Sequence, residues 1–267
     1  MDWKILKMQY GKILMKRNKK IFFLIMNVIF INCYSQEKID SNRYNLYPLY
    51  YKYIKSIPEK NYKKFTLRGK TNLNKVALTL DDGPNFNTKR TINYFVKNNI
   101  PATFFVSTKK ISSHNANYYD NKLIEIALHG YDHDDFRKLS KIKIQNDFKR
   151  SFEMLNSYLL EVKYYRPPYG IITDDLINII EELNKEGTIA GEPIANFKGI
   201  RPILWSVDSQ DWAAENQEEI IENVTKNLQN GDIILLHEAS TKINNIEQIV
   251  IKIKELGFEI VSLDEIL

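Results

Sequence analysis

Titratable side chains follow four of the short apolar segments in this sequence. Asp81 and Asp82 come directly after one segment, and single residues come after three others: His129, Asp208 and His237. Carboxylates and imidazoles bind divalent metals, and both transfer protons near neutral pH. If the segments are parallel strands, their carboxyl ends meet at one edge of a sheet, where α/β proteins carry their catalytic groups. One such position would mean little, but four indicate a catalytic site.

Two local spacings favour metal binding within this set. His129 and His133 are four residues apart, which brings both imidazoles to one face of a helical turn. Two surface histidines are the alternative, but the chain has only four histidines, and these two follow a predicted strand. The adjacent Asp81 and Asp82 point in different directions, so one can bind a metal while the other faces the reaction. A plain Asp-Gly-Pro turn is the alternative there.

Three further segments carry residue types that active sites use. Arg166 begins a segment with two prolines, which would hold the Arg and a backbone N–H in place. The segment 205–212 has a tryptophan at each end, and 235–237 ends in His237. Each segment also has a purely structural interpretation, as a stiff loop, a strand with core tryptophans, or a strand capped by a hydrogen-bonded histidine.

The elements that would position these residues can be read from the hydrophobic pattern. Strands are predicted where apolar runs are four to six residues long, at 76–80, 102–106, 124–128, 203–207, 233–236 and 260–263. Helices are predicted near 46–56, over 144–159, from Thr173 to Gly187, and over 246–256. This alternation predicts an α/β fold, with a mostly parallel sheet and outer helices, either open or closed into a barrel.

Composition excludes several classes of protein. The chain has 267 residues, of which 43% are hydrophobic and 27% charged, with a single Cys, so it is neither collagen-like, nor low-complexity, nor disulfide-stapled. Residues 1–35 hold seven of the 38 Lys and Arg residues and one of the 33 acidic residues. The remainder therefore has a net charge of −1, and nothing in it requires nucleic acid as a partner.

The basic N-terminus has the pattern of a secretory signal. Four basic residues within 16–20 precede an apolar run at 21–31, which is too short for a transmembrane helix of about 20 residues. We expect a signal peptide over 1–35 and export to the periplasm, the cell envelope or the medium. Lipidation of Cys33 and a short membrane-anchoring helix are alternatives. A Tyr-rich lead-in segment at 36–74 and a single domain at 75–267 would follow.

Five segments, in this order, resemble the motifs of the polysaccharide deacetylase family (the NodB-homology domain of carbohydrate esterase family 4). They are 79–84, 129–133, 166–170, 208–212 and 235–237. The similarity runs from about Lys75 to Leu267, and five ordered motifs make it specific. Gly130 stands where the family usually has Ser or Thr, which removes a hydroxyl near the histidines and gives the backbone more freedom.

The resemblance implies a distorted, incomplete (β/α) barrel of mostly parallel strands with outer helices. It also implies one divalent metal ion, held by Asp82, His129 and His133. Zinc is the first expectation for such a nitrogen-rich set, with cobalt, nickel or iron as alternatives.

The same resemblance implies the remaining roles. Asp81 would be the general base, oriented by Arg166. His237 would be the general acid, and Asp208 would favour its imidazolium form. The other implied residues are Tyr169, whose backbone N–H would hold the oxyanion, and Trp212 and Leu235, which would line the pocket for the acetyl methyl group.

These roles imply a hydrolase that removes N-acetyl groups from an extracytoplasmic glycan, peptidoglycan or a chitin-like polymer, by means of a metal-activated water. Cleavage of O-acetyl esters, as on acetylated xylan, is an alternative, and so is a catalytically silent glycan-binding protein on the same fold. We expect an acetylated polysaccharide as the partner, no nucleic acid, no membrane span in the mature chain, and a monomer.

Overall fold

The computed structural model describes residues 46–241 and 243–267. The predicted signal peptide over 1–35, with Cys33, lies outside the described residues, and so does the first part of the lead-in segment. From Leu46 onward, no helix that the structure describes is both long and apolar enough to cross a bilayer.

The strands and helices alternate along most of the described chain. The strands are β1 (Lys75–Gly83), β2 (Ala102–Val106), β3 (Ile124–Leu128), β4 (Tyr164–Tyr165), β5 (Thr188–Ile189), β6 (Glu192–Pro193), β7 (Arg201–Pro202), β8 (Val207–Asp208), β9 (Ile233–His237) and β10 (Glu259–Val261). The α-helices are α1 (Pro48–Ser56), α2 (Glu59–Tyr62), α3 (Thr88–Lys97), α4 (Lys141–Ser157), α5 (Asp174–Glu186), α6 (Gln217–Thr225), α7 (Ile243–Glu255) and α8 (Leu263–Ile266).

A single parallel sheet organises the domain. Its strand order is β7-β4-β3-β2-β1-β9-β8, and β10 pairs in parallel with the first part of β1. The sheet curls into a half-barrel with helices around it, which confirms the expected incomplete (β/α) barrel. A separate antiparallel hairpin joins β5 to β6.

The central strands are apolar because helices and loops cover both faces of the sheet. All five residues of β2 are buried, and its Phe104 and Phe105 have no solvent exposure. Parallel pairing between β1 and β9 places Asp81 directly beside His237. The strand ends therefore bring residues far apart in sequence to one edge of the sheet.

The helix boundaries follow local signals in the sequence. The Thr173 side chain accepts a hydrogen bond from the backbone N–H of Leu176 at 3.2 Å and so caps the start of α5. Gly187, with φ of 68°, ends the same helix in the left-handed conformation. The predicted helix at 144–159 corresponds to α4 but extends too far, since Leu159 lies beyond its end and is exposed.

The predicted strand at 203–207 is wrong for most of its length, because only Val207 belongs to a strand, β8. The carbonyl oxygen of Leu204 accepts a hydrogen bond at 2.9 Å from the buried Arg166 guanidinium. Trp205 leaves the sheet to stack on Tyr50. An apolar run alone does not distinguish a strand from a buried loop whose carbonyl binds a side chain.

Candidate active site

The carboxyl ends of β1, β3, β8 and β9 surround a cavity of about 700 Å³. This edge of the sheet is where parallel α/β folds place their catalytic groups. Nine of the ten site residues predicted from the sequence line this cavity: Asp81, Asp82, His129, His133, Tyr169, Asp208, Trp212, Leu235 and His237. The tenth, Arg166, is fully buried behind Asp81.

Three side chains in the cavity converge as metal ligands would. The Asp82 carboxylate oxygen Oδ1 lies 3.0 Å from Nε2 of His133 and 3.5 Å from Nε2 of His129. Each of the three residues offers a donor atom within 4.8 Å of the other two. Two imidazole nitrogens and one carboxylate oxygen form the donor set of catalytic zinc sites, which leave a further position open.

Hydrogen bonding around these ligands also fits a cation. Nδ1 of His129 lies 2.8 Å from the carbonyl oxygen of Arg166, which can only accept, so Nδ1 carries the proton and the lone pair of Nε2 faces the cavity. Asp82 Oδ1 is buried and has no hydrogen-bond donor among the described residues. A divalent ion between the three side chains would satisfy this buried carboxylate oxygen.

The backbone is strained at two of these ligands. Asp82 has φ of 74° and His133 has φ of 58°, both in the left-handed region that few residues other than glycine adopt. Lys110 supports the first of these positions, since its Nζ donates to the carbonyl oxygen of Asp82 at 2.8 Å. Such strain is characteristic of functional sites, where the surrounding structure enforces it.

The two imidazoles also affect the protonation of Asp82. Burial acts to raise the pKa of its carboxyl, but hydrogen bonds and charge from His129 and His133 in their protonated forms outweigh that effect and hold the pKa well below its ordinary value. A divalent ion bound here would take the place of those protons.

The two carboxylate oxygens of Asp81 have different surroundings, and one of them bonds to a buried arginine. Its Oδ1 accepts from Nη1 of Arg166 at 2.6 Å, while its Oδ2 lies 3.6 Å from Nε2 of His129. The same guanidinium donates to the Thr79 hydroxyl at 3.0 Å and lies 4.0 Å above the Phe105 ring. One carboxylate oxygen is thus fixed, and the other faces the cavity beside the metal ligands.

His237 is paired with an aspartate that sequence reasoning missed. Its Nδ1 donates to Oδ1 of Asp211 at 2.7 Å, and its backbone N–H donates to Oδ2 at 2.7 Å. The Thr241 hydroxyl donates to the same Oδ2. Burial acts to lower the pKa of His237, but Asp211, with Asp81 and Asp82 nearby, raises it to about 9. His237 is therefore an imidazolium at neutral pH, with Nε2 free to face the cavity.

Asp208, the expected partner of His237, hydrogen-bonds to backbone N–H groups instead. Its Oδ1 accepts from the backbone N–H of Gln210 at 3.0 Å, and the backbone N–H of Tyr47 also donates to its carboxylate. Burial raises the pKa of Asp208 to about 6. The Asp208 carboxylate still interacts with the charge of His237, but Asp211 is the residue that hydrogen-bonds to it. Gln210, with φ of 54°, lies between the two aspartates.

The remaining predicted residues form the walls. Leu235 is buried next to Asp208 in the β8–β9 register. Tyr169 has φ of 58° and its ring packs edge-on against His133 at 4.5 Å between centroids. Trp212 is half exposed at the mouth of the cavity.

Asp147, on α4, supports the loop between the two histidines. It is buried, and its Oδ2 accepts from the backbone N–H of Tyr131 at 3.0 Å. A Cβ at Gly130, whose φ is 79°, would lie 3.3 Å from Oδ1 of Asp147. The carboxylate thus occupies the space beside Gly130, where the family pattern places a hydroxyl side chain.

Similarity to known proteins identifies the family of this chain. A protein-family model described as polysaccharide deacetylase matches residues 68–187. A bifunctional xylanase/xylan deacetylase from Cellvibrio japonicus is 32% identical over 188 residues, which are 68% of this chain and 26% of that protein. The chain belongs to the polysaccharide deacetylase family.

This chain covers most of some members of the polysaccharide deacetylase family and only a part of others. A peptidoglycan-N-acetylglucosamine deacetylase from Bacillus cereus is 28% identical over 204 residues, covering 72% of this chain and 87% of that protein. The chain spans only 26–40% of the length of several other curated relatives. A solved carbohydrate esterase family 4 pseudoenzyme from Bacillus anthracis superposes with a TM-score of 0.63 at 21% identity, covering 75% of this chain and 67% of that chain, a likeness that shows the fold.

Sequence reasoning also missed one wall of the cavity. Tyr47 and three residues of α1, Leu49, Tyr50 and Tyr53, line it, although they precede the family match. The cluster of tyrosines at 44–53 was visible in the sequence, but without a period that assigns it to this site.

Proposed function

We propose that this protein is a metal-dependent hydrolase that removes N-acetyl groups from an extracytoplasmic glycan, peptidoglycan or a chitin-like polymer. One observation carries the proposal. Asp81 and His237 lie side by side on neighbouring strands, each held by an oppositely charged partner, in the cavity that contains the Asp82, His129 and His133 cluster.

The arrangement provides a base and an acid for amide hydrolysis. A divalent cation bound by the three ligands would polarise the acetyl carbonyl and make a water more acidic. Asp81, with Oδ1 held by Arg166, accepts the proton of the attacking water at Oδ2. The C–N bond then breaks, His237 donates its Nε2 proton to the departing amine, and acetate is the second product. The backbone N–H of Tyr169 is our candidate donor to the oxyanion.

Zinc is the metal we expect first, since two imidazoles and a carboxylate are a common zinc donor set. Cobalt, nickel and iron also bind nitrogen-rich sites, so metal analysis of the purified protein decides between them.

Support for the substrate class comes from the names of relatives. The Bacillus cereus relative is a peptidoglycan-N-acetylglucosamine deacetylase, which favours an N-acetylated sugar. The Cellvibrio japonicus relative is a xylan deacetylase, which keeps O-acetyl esters as a second candidate. The same acid and base serve both reactions, because an alkoxide leaving group is protonated as an amine is.

The proposal is tested by acetate release. The metal-loaded protein is incubated with peptidoglycan, acetylated chito-oligosaccharides and acetylated xylan, each with and without a chelator. We expect chelator-sensitive release from an N-acetylated substrate. Release from xylan alone would favour the esterase, and no release from any substrate despite bound metal would favour a silent glycan-binding protein.

We also propose that residues 1–35 are a signal peptide that exports the domain at 75–267 to where such glycans occur. The support is the basic and apolar pattern of the leader. Mass spectrometry of the exported protein should find a new N-terminus at Gln36. Retention of the leader would contradict cleavage, and a lipid on Cys33 would favour the lipoprotein alternative.

A further inference from the structure

The lead-in segment contributes to the catalytic cavity. Tyr47 and Leu49 lie at its mouth, and Tyr50 and Tyr53 lie deeper in the wall. All four precede β1 and the family match at 68–187, and none of them has a role in the mechanism proposed above. We call Tyr47 and Leu49 the lead-in rim.

Specific contacts fix α1 against the domain. The Tyr50 ring stacks on the Trp205 ring at 4.4 Å with an interplanar angle of 17°, and its hydroxyl donates to the carbonyl oxygen of Gly170 at 3.3 Å. The Tyr53 hydroxyl donates to the carbonyl oxygen of Ile172 at 3.2 Å and accepts from its N–H at 2.8 Å. The wall is therefore built onto the loop that carries Tyr169.

The cavity also binds Tyr47, the residue directly before α1. The carboxylate of Asp208, which lines the cavity, accepts a hydrogen bond from the backbone N–H of Tyr47. The Tyr47 ring packs edge-on against the Trp212 ring at 5.2 Å between centroids, with an interplanar angle of 78°. The lead-in rim is thus continuous with the site for the acetyl group.

The lead-in rim and the neighbouring Trp212 expose apolar surface beside a strongly polar site. Leu49 is 65% exposed, and Trp212, which packs against Tyr47, is 53% exposed. Grouped apolar side chains on a soluble surface mark a contact with a ligand or partner. A sugar ring presents C–H groups on its faces and hydroxyls at its edge, so a flat aromatic and aliphatic surface suits its face.

We propose that the lead-in rim binds the sugar ring next to the acetylated one, so that the ligand is a glycan chain of at least two rings. This inference rests on the proposed function. A cavity of about 700 Å³ is of the size that encloses a drug-like ligand, which is larger than one acetylated sugar. The glycan is favoured over a protein partner because the lead-in rim and the catalytic groups share one cavity.

The experiment compares chain-length dependence between variants. Tyr47→Ala and Leu49→Ala remove the lead-in rim, and the exposure of Leu49 makes its variant the safer one for folding. Tyr51→Ala is the matched control, because Tyr51 lies on α1 beneath Lys55 Nζ, 4.5 Å from its ring centre, and does not line the cavity. Circular dichroism and thermal unfolding verify that each variant is folded.

kcat and KM are measured for a single N-acetylated sugar and for longer acetylated chito-oligosaccharides. We expect wild type and Tyr51→Ala to prefer the longer substrates. In each rim variant the ratio of kcat/KM for long over short substrate should fall roughly two- to tenfold, mostly through KM, as for a lost aromatic or aliphatic contact. An unchanged ratio in folded Leu49→Ala and Tyr47→Ala, or a wild type without chain-length preference, overturns the inference while the deacetylase proposal stands.

Direct binding separates this inference from the proposed function. If the wild type releases no acetate, calorimetry with an acetylated chito-oligosaccharide still tests the lead-in rim. Weaker binding by both rim variants than by Tyr51→Ala supports it, and equal affinities or no binding by the wild type overturn it.

Discussion

Replacing Asp211 by Asn should move the alkaline limit of activity to lower pH. Asp211 accepts three hydrogen bonds, from Nδ1 and the backbone N–H of His237 and from the Thr241 hydroxyl. Asn has nearly the same shape but no charge. Its NH₂ group would replace one carboxylate oxygen, and an N–H would then point at an N–H or O–H that had donated to that oxygen. The variant thus removes the main interaction that stabilises the imidazolium form of His237.

The magnitude follows from the pKa of His237. The change from an ordinary value of 6.5 to about 9 corresponds to about 3 kcal/mol in favour of the charged form, achieved although burial acts against it. A general acid must be protonated. The alkaline limit of activity is therefore set by His237, and activity should be lost as the pH rises through about 9. Without the Asp211 charge the pKa should fall by about 2, back toward 6.5. The same sign applies to stability, which this group supports fully below pH 6.5 and loses as the pH rises through 9.

The assay is the pH dependence of kcat for acetate release, with metal content measured at each pH. Asp208→Asn is the matched control, since Asp208 also lines the cavity but bonds to backbone N–H groups of Tyr47 and Gln210. We expect the alkaline limb to move by about 2 pH units in Asp211→Asn and far less in Asp208→Asn. Equal shifts in both variants, or an unmoved limb in folded Asp211→Asn, would refute the assignment of Asp211.

Substitutions at three further residues test the division of roles at the site. Asp81→Asn should keep metal content near wild type and lower kcat by about 10²–10⁴-fold, and equal loss of metal would mean that Asp81 is a ligand. His133→Ala should strip the metal, which elemental analysis measures, and unchanged stoichiometry would count against this ligand. Asp147→Ala should lower both metal occupancy and the free energy of unfolding, the latter by about 1–3 kcal/mol, because it leaves the partly buried N–H of Tyr131 without this acceptor. Asp147→Asn, which keeps an acceptor, should lose less in urea unfolding.

Much of this site was predictable because parallel strands make strand ends equivalent. A residue that directly follows a buried run in the sequence lies at the same edge of the sheet as the others, whatever its distance along the chain. The register of β1 and β9 shows this for Asp81 and His237. The fold class follows from the same alternation of short apolar runs and amphipathic helices.

Two features of the site could not be predicted from the sequence: the partner of His237 and the wall formed by α1. They depend on the conformation of single residues and on tertiary packing. Asp208 ends the short strand β8 and Asp211 lies three residues later, and Gln210 between them has a positive φ that the residue type does not announce. Likewise, Tyr50 of α1 is held at the cavity by contacts with Gly170 and Trp205, which lie 120 and 155 residues further along the chain. Neither outcome has a local signature in composition or periodicity.

Arg166 orients the proposed base and one proposed metal ligand together. Its guanidinium donates to Asp81, and its carbonyl oxygen accepts from Nδ1 of His129, so one residue fixes both side chains. An arginine with no solvent exposure is costly, and burial lowers its pKa, but the Asp81 charge opposes that change. Removing either partner would leave an unpaired buried charge. The two prolines after Arg166 restrict the backbone beside it, which includes the carbonyl oxygen that accepts from His129.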